Sequence, residues 1–493
     1  MLKRITYVSA FLLASVLQAA DRPNILFCIA DDWGWPHAGA YGDGAVKTPN
    51  FDRLAKGGVL FNHAYVSSPS CTPCRNSILT GQWHWRLKSG ANLWSDLPVG
   101  LPVYPLLLED AGYHIGHSRK SYGPGRLEGW DRHPAGKNFK SFAEFITGRP
   151  KGTPFCFWQG SSDPHRGYKP NSGRKSGIDL NKVHLFGHYP DHEIVRSDVA
   201  DYYFEVQRFD TLVGSVVTEL ERMGELDRTI VVVTGDHGMP FPRCKGNLYD
   251  CGARVPLLAH WPRGIKQPGR RIEDFVSLTD LAPTFLQAAG VPLPGDMTGL
   301  SVLSLLHSPQ TGHIDASRRA IFFGKERHCP GQEAPNAGGY PCRGVRTHEY
   351  LYIRNYDPER WPAGTPDYTQ AYEFKQGVRG WLGDCDNGPT KSYIVANRDL
   401  DDVHRRSYDL CFGKRPAEEL YDLETDPEQL KNVAAEPAYR AVKAKLAVQL
   451  TSKLKATGDP REISDTEPFD HYPYYGGAPL YPGDQKMEGY RNE

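Results

Sequence analysis

The chain has 493 residues, with 58 Lys and Arg against 58 Asp and Glu, and ten Cys. That length supports a large core and more than one structural unit. A formal net charge of zero excludes a general nucleic-acid binder, which carries a basic excess. Any anionic ligand must instead meet a local basic cluster.

Met1 to Arg4 gives a positive start, Ile5 to Leu17 a short apolar run, and Ala19-Ala20 small residues before Asp21. This is the pattern of a secretory signal peptide over residues 1–20, so the mature chain is expected to be secreted or periplasmic. The run is too short and interrupted for a membrane span, and no later stretch approaches one. In an exported chain some disulfides are expected, and Cys244 with Cys251 and Cys329 with Cys342 are close enough in sequence to pair.

Asn24 to Ala30 is a near-continuous apolar run, as a buried parallel strand should be, and it ends in Asp31-Asp32. Pro105 to Gly112 reads as a helix, with a strand near Tyr113 to Gly116 and another at Pro154 to Gln159. Gly167 to His192 is polar and broken by Gly and Pro, a long loop over the site. Tyr202 to Met223 has helical apolar spacing. Thr229 to Thr234 is a second buried strand and runs into Gly235-Asp236-His237-Gly238. The alternation predicts an α/β fold: a large, mixed, mostly parallel sheet sandwiched by helices. After residue 342 the texture changes. Strands at Gly344 to Arg354 and Glu419 to Leu423, with a helix at Ala438 to Lys455, predict a smaller C-terminal α+β unit with an antiparallel sheet over residues 343–464. Residues 465–493, rich in Tyr, Pro and Gly, form an irregular tail.

Two buried strands that each deliver acidic groups at their carboxyl ends describe an α/β ligand site. Asp31, Asp32 and Asp236 would repel one another unless a cation sat among them. An oxygen-rich set favours calcium, or magnesium, over zinc. Between the strands lies Ser70-Cys71-Thr72-Pro73-Cys74-Arg75, running into Asn76 to Thr80 and Gly81. A short helix here places Cys71 near an N-terminus that favours an anion.

This stretch resembles the type I sulfatase signature. In that family the Cys is oxidised to formylglycine, whose hydrated aldehyde attacks the sulfur of a sulfate ester. The resemblance extends along the mature chain: Thr48-Pro49-Asn50, Gly112-Tyr113 with Lys120, Asp163-Pro164-His165, Thr234 to Gly238, Lys245 before Gly252-Ala253-Arg254-Val255-Pro256, and Glu419 to Leu423 occur in the family's order. It implies an alkaline phosphatase-like fold, with a catalytic domain over residues 21–342. It also implies a calcium ion held by Asp31, Asp32, Asp236, His237 and residue 71. Arg75 would hold the hydrated aldehyde. Lys120 would contact nucleophile and sulfate, His165 the ester oxygen as general acid, and Lys245 a sulfate oxygen. A formylglycine-generating or sulfatase-maturing enzyme is the implied partner. Tyr122 stands where many members carry a His, so another group, such as His117, would deprotonate the hydrate.

Ser162 to Arg166 and Gly238 to Pro242 look more like the heparan N-sulfatase branch, which also holds bacterial polysaccharide sulfatases, than like the arylsulfatases. A sulfated carbohydrate is therefore expected, with an O-sulfate placed ahead of an N-sulfate. Arg166, Glu326, Arg327 and His328 are further substrate-binding candidates, and Trp83 to Arg86 are candidates for sugar stacking. The alternatives are an N-sulfoglucosamine sulfohydrolase, a phosphonate or phosphodiester hydrolase on the same scaffold, and a non-catalytic sulfated-glycan binder.

Overall fold

The computed structural model describes residues 22–332, 338–366, 372–374, 377–464, 469–483 and 487–492. The expected leader, residues 1–20, lies outside them. No helix among the described residues is long and apolar enough to cross a membrane.

Eight strands form one sheet: β1 (Asn24–Ala30), β2 (Val59–Tyr65), β3 (His114–Ser118), β4 (Lys137–Asn138), β5 (Phe155–Gly160), β6 (Thr229–Gly235), β7 (Leu257–His260) and β8 (Arg270–Ser277). Their spatial order is β8-β2-β7-β6-β1-β5-β3-β4. All pairings are parallel except those of β7, which runs against β2 and β6. β1, β5 and β6 are buried at every residue, as strands covered on both faces must be. Phe27 of β1 packs on Trp158 of β5 and on Phe285 of a helix at Leu281–Ala288. Trp33, just past β1, packs on Phe209 of the long helix Glu193–Arg222.

That long helix begins at Glu193, ahead of the Tyr202 expected from periodicity. The early turns carry Asp198 and Asp201, which break the apolar pattern but are buried with partners. Asp198 takes both arms of the Arg166 guanidinium, and Asp201 accepts the Asn171 and Gly173 N–H groups. Buried carboxylates satisfied in this way do not oppose a helix. Short helical turns at Ser172–Lys175 and Leu180–Lys182 punctuate the stretch expected as a loop.

A second, antiparallel sheet is built from β9 (Ala320–Lys325), β10 (Cys342–Thr347), β11 (Tyr350–Asn355) and β12 (Glu418–Asp422), in that order. Its first strand precedes the break expected at residue 343, because Ile321 and Phe323 belong to the same buried core as the large sheet. Phe323 stacks on Tyr65 of β2 at 5.6 Å. The two sheets thus share one apolar interior. The ten cysteines are all buried and none is in a disulfide, so neither expected pairing forms.

Candidate active site

In the parallel register of β1 and β6, Ala30 lies opposite Gly235. The next residues, Asp31 and Asp236, therefore leave the sheet at the same edge. Asp32 turns back with φ of 71°, and its N–H donates to Asp236 Oδ1 at 2.8 Å. His237 Nδ1 lies 3.0 Å from the Gly238 carbonyl, so in a neutral ring Nδ1 carries the proton and Nε2 offers a lone pair. Nε2 is 3.1 Å from Asp32 Oδ1.

Cys71 opens the helix Cys71–Thr80, which is buried at every residue. Its Sγ points into the acidic cluster, 3.2 Å from His237 Nε2, 3.8 Å from Asp31 Oδ1 and 4.0 Å from Asp32 Oδ1. One turn on, buried Arg75 donates Nε to Asp236 Oδ2 at 2.8 Å, Nη2 to Asp31 at 3.3 Å and Nη1 to the Lys120 carbonyl at 3.0 Å. Those bonds use Arg75 to fix the carboxylates. Lys120 Nζ lies 2.6 Å from Asp31 Oδ1, and Lys245 Nζ lies 2.9 Å from Asp32 Oδ2. His165 Nε2 stands 3.9 Å from Asp32 Oδ2, while its Nδ1 faces the Arg166 carbonyl at 2.6 Å.

A cavity of about 570 Å³ opens onto Cys71, Lys120, His165, Lys245 and His328. Burial pushes the Asp31 carboxyl up, but Lys120, then Arg75, His165 and Lys245 outweigh it and hold it well below the usual range. Burial lowers Lys245, yet Asp32 and Asp386 raise it well above an ordinary lysine. Burial drives the Cys71 thiol up strongly. A neutral, buried thiol of this kind is a poor nucleophile.

The residues present fit a hard cation. Carboxylate oxygens of Asp31 and Asp236 lie within 4.8 Å of each other and of Cys71 Sγ, as do ligand atoms of Asp32 and His237. The two sets share residue 71, so a single ion beside it would meet three carboxylates and an imidazole. Oxygen-rich sets of this size suit calcium or magnesium.

The sulfatase family model matches residues 23–291, more than half of the chain, and the N-sulphoglucosamine sulphohydrolase C-terminal model matches residues 235–363. The chain belongs to the sulfatase family. This sulfatase is 28% identical over 461 residues to an ulvan-active sulfatase of Formosa agariphila, covering 89% of the chain and 81% of the relative. It is 29% identical over 499 residues to human N-sulphoglucosamine sulphohydrolase, covering 92% and 93%. The fold is similar to that of BT4656 in complex with D-glucosamine-2-N,6-O-disulfate, at a TM-score of 0.62 and 20% identity, covering 90% and 100%. The mostly parallel large sheet with a separate antiparallel sheet is the alkaline phosphatase-like arrangement of sulfatases.

Not every residue expected at the sulfatase site reaches it. Glu326 is buried between Arg343 at 2.5 Å and Arg461 at 2.7 Å. Arg327 donates to the Asp470 and Pro473 carbonyls. Neither lines the cavity, because both side chains tie the second sheet to later segments. His328 does line it, with Nδ1 2.8 Å from Ser70 Oγ, and burial pushes its ring down to about 3, so it stays neutral. Arg166 also lines the cavity, but Asp198 holds its guanidinium. Trp83 and Trp85 stack on each other in the core at 5.1 Å. His117 turns to the Gly136 carbonyl and Tyr122 to those of Ser95 and Arg126, so neither faces Cys71.

Sequence reasoning missed Asp386, Trp94, Gly477 and Pro479, which line the cavity. Asp386 Oδ2 is 2.9 Å from Lys245 Nζ. No local pattern marks these residues, since each arrives from a loop or from the tail.

Proposed function

We propose that this sulfatase is an exported enzyme that hydrolyses sulfate esters of a sulfated carbohydrate, using formylglycine made from Cys71 and a calcium ion held by Asp31, Asp32, Asp236 and His237. The observation that carries the reading is the position of Cys71 Sγ, against both acidic strand ends and open to a cavity flanked by Lys120 and Lys245. Once formed, formylglycine supplies a hydrated aldehyde with one oxygen to attack sulfur and a second to release sulfate. Calcium, when bound, supplies a Lewis acid that lets an oxygen on residue 71 ionise near neutral pH.

The chain's own side chains do the rest. Arg75 fixes Asp31 and Asp236 for the ion. Lys120 and Lys245 offer the paired positive charge that an anionic sulfate needs in a neutral protein. His165 faces the cavity beside Asp32 and Asp386, placed to pass a proton to the departing sugar oxygen. His328, Arg166 and Trp94 shape the sugar side. A formylglycine-generating or sulfatase-maturing enzyme is the partner that this chemistry requires, and residues 1–20 are the export signal.

The relatives support a carbohydrate, since an ulvan-active sulfatase and N-sulphoglucosamine sulphohydrolase are similar over most of the chain. An O-sulfate is the first choice and an N-sulfate the second. The test is mass spectrometry of the peptide around residue 71, with a rate screen of defined sulfated mono- and disaccharides. A formylglycine mass is expected, with turnover that Cys71→Ala reduces at least roughly 10³-fold. An unmodified Cys71 from a host able to make the modification, or faster cleavage of matched phosphate esters, would overturn the reading.

A further inference from the structure

Away from the cavity, His188, Cys244 and Cys251 bring a ring nitrogen and two sulfurs within 4.8 Å of one another. All three are buried, at 2%, 0% and 7% exposure. His188 comes from the segment before the long helix, Cys244 from the loop after β6, and Cys251 from a short helix at Asp250–Ala253. Neither ring nitrogen of His188 has a hydrogen-bond partner of good geometry. The ring is nonetheless fixed, stacked on Phe186 and edge-on to Tyr189. The Tyr189 hydroxyl lies 3.3 Å from Cys244 Sγ. Buried Arg243 forms no ion pair with a carboxylate among the described residues, and it bonds the Leu410 and Gln429 carbonyls instead.

We propose that His188, Cys244 and Cys251 form a buried zinc site. Two sulfurs and an imidazole suit zinc, and all three ligands are buried and none of them lines the cavity. On binding, each cysteine releases its thiol proton to solvent as a Zn–S bond forms, and His188 gives a ring lone pair. Cys411 lies nearby, its Sγ 4.0 Å from the His188 carbonyl, but it is outside the cluster, so three side chains supply the ligands. The ion fastens the segment before the long helix to the loop in which Cys244 directly precedes Lys245. The site does not depend on the sulfatase chemistry, and it holds soft ligands where the strand-end cluster holds oxygens.

The test uses the full chain with Cys71→Ala, so that residue 71 offers no thiol, in saturating calcium and under reducing conditions. After zinc loading and desalting, one equivalent of zinc per chain is expected by elemental analysis. Cobalt in its place should give a thiolate-to-metal absorption band. Both signals should fall at least about tenfold in Cys244→Ala and in His188→Ala, with the circular dichroism spectrum kept. If His188→Ala does not fold, His188→Gln and Cys251→Ser carry the same comparison. Absence of retained zinc in the folded chain, retention unchanged by these substitutions, or a Cys244–Cys251 disulfide in the untreated protein would each overturn the proposal.

Discussion

Lys245 stands between Asp32 and Asp386, its Nζ 2.9 Å from Oδ2 of each. Asp32 belongs to the strand-end cluster, and Asp386 reaches the cavity from a distant loop. Asp386 is therefore a second carboxylate that holds the lysine beside the cavity. Burial pushes the Asp386 carboxyl up, but Lys245, then His165, outweigh it and leave it strongly acidic. Asp386→Asn is expected to lower kcat/KM roughly 10- to 100-fold, with most of the loss in kcat and recovery in Asp386→Glu. Steady-state kinetics of the two variants check this, and an unchanged kcat would remove Asp386 from the site.

Calcium removal should abolish turnover and lower the thermal midpoint. With calcium bound at about 100 times its dissociation constant, the ion contributes about 2.7 kcal/mol of stability. Treatment with EGTA followed by calcium addition should reverse both effects. A fully active protein with no calcium or magnesium by elemental analysis would contradict the cation site.

Glu326 is predicted to act on stability and not on substrate. Arg343 bridges it to Asp459 in a fully buried network. Glu326→Gln removes one charge from a buried set, which costs about 3–5 kcal/mol. Thermal unfolding should register that loss while KM stays within about twofold of the wild type. A large rise in KM with an unchanged melting point would return Glu326 to the sugar-binding surface.

Lys391 gives a pH signature. It is fully buried and donates to the Trp381, Leu382 and Cys385 carbonyls. Burial lowers its ammonium from 10.5 to about 8. Between those values the unfolded chain binds more protons than the folded one, so the cost of burying the charge is complete below about pH 8 and falls away toward pH 10.5. Relative to Lys391→Met, the wild-type protein should gain on the order of 3 kcal/mol at most across that window. Thermal midpoints of both proteins at pH 7, 9 and 10 measure it. A gap that stays constant, or closes in the other direction, would refute the assignment.

Much of the chemistry was legible in the chain because it is written in short segments. Asn24 to Asp32 and Thr229 to His237 each combine a buried strand with its terminal ligands, and Cys71 to Arg75 spans one helical turn, so local sequence carries both the element and the functional group. The start of the long helix was not legible, since Asp198 and Asp201 hide its apolar stripe until their partners, Arg166 and the Asn171–Gly173 backbone, are seen.

By itself, the sequence determined the two acidic strand ends, the Cys71 motif, the lysines and the parallel character of the main sheet, since each depends on neighbours a few residues away. Only the tertiary structure decided that Asp386 meets Lys245, that Gly477 and Pro479 wall the cavity, that Glu326 is spent on Arg343, and that His188 faces Cys244 and Cys251. Those pairings join segments far apart in the chain. What selects them is the packing of a core shared by both sheets and the need to neutralise buried charge, and neither leaves a periodic trace in the sequence.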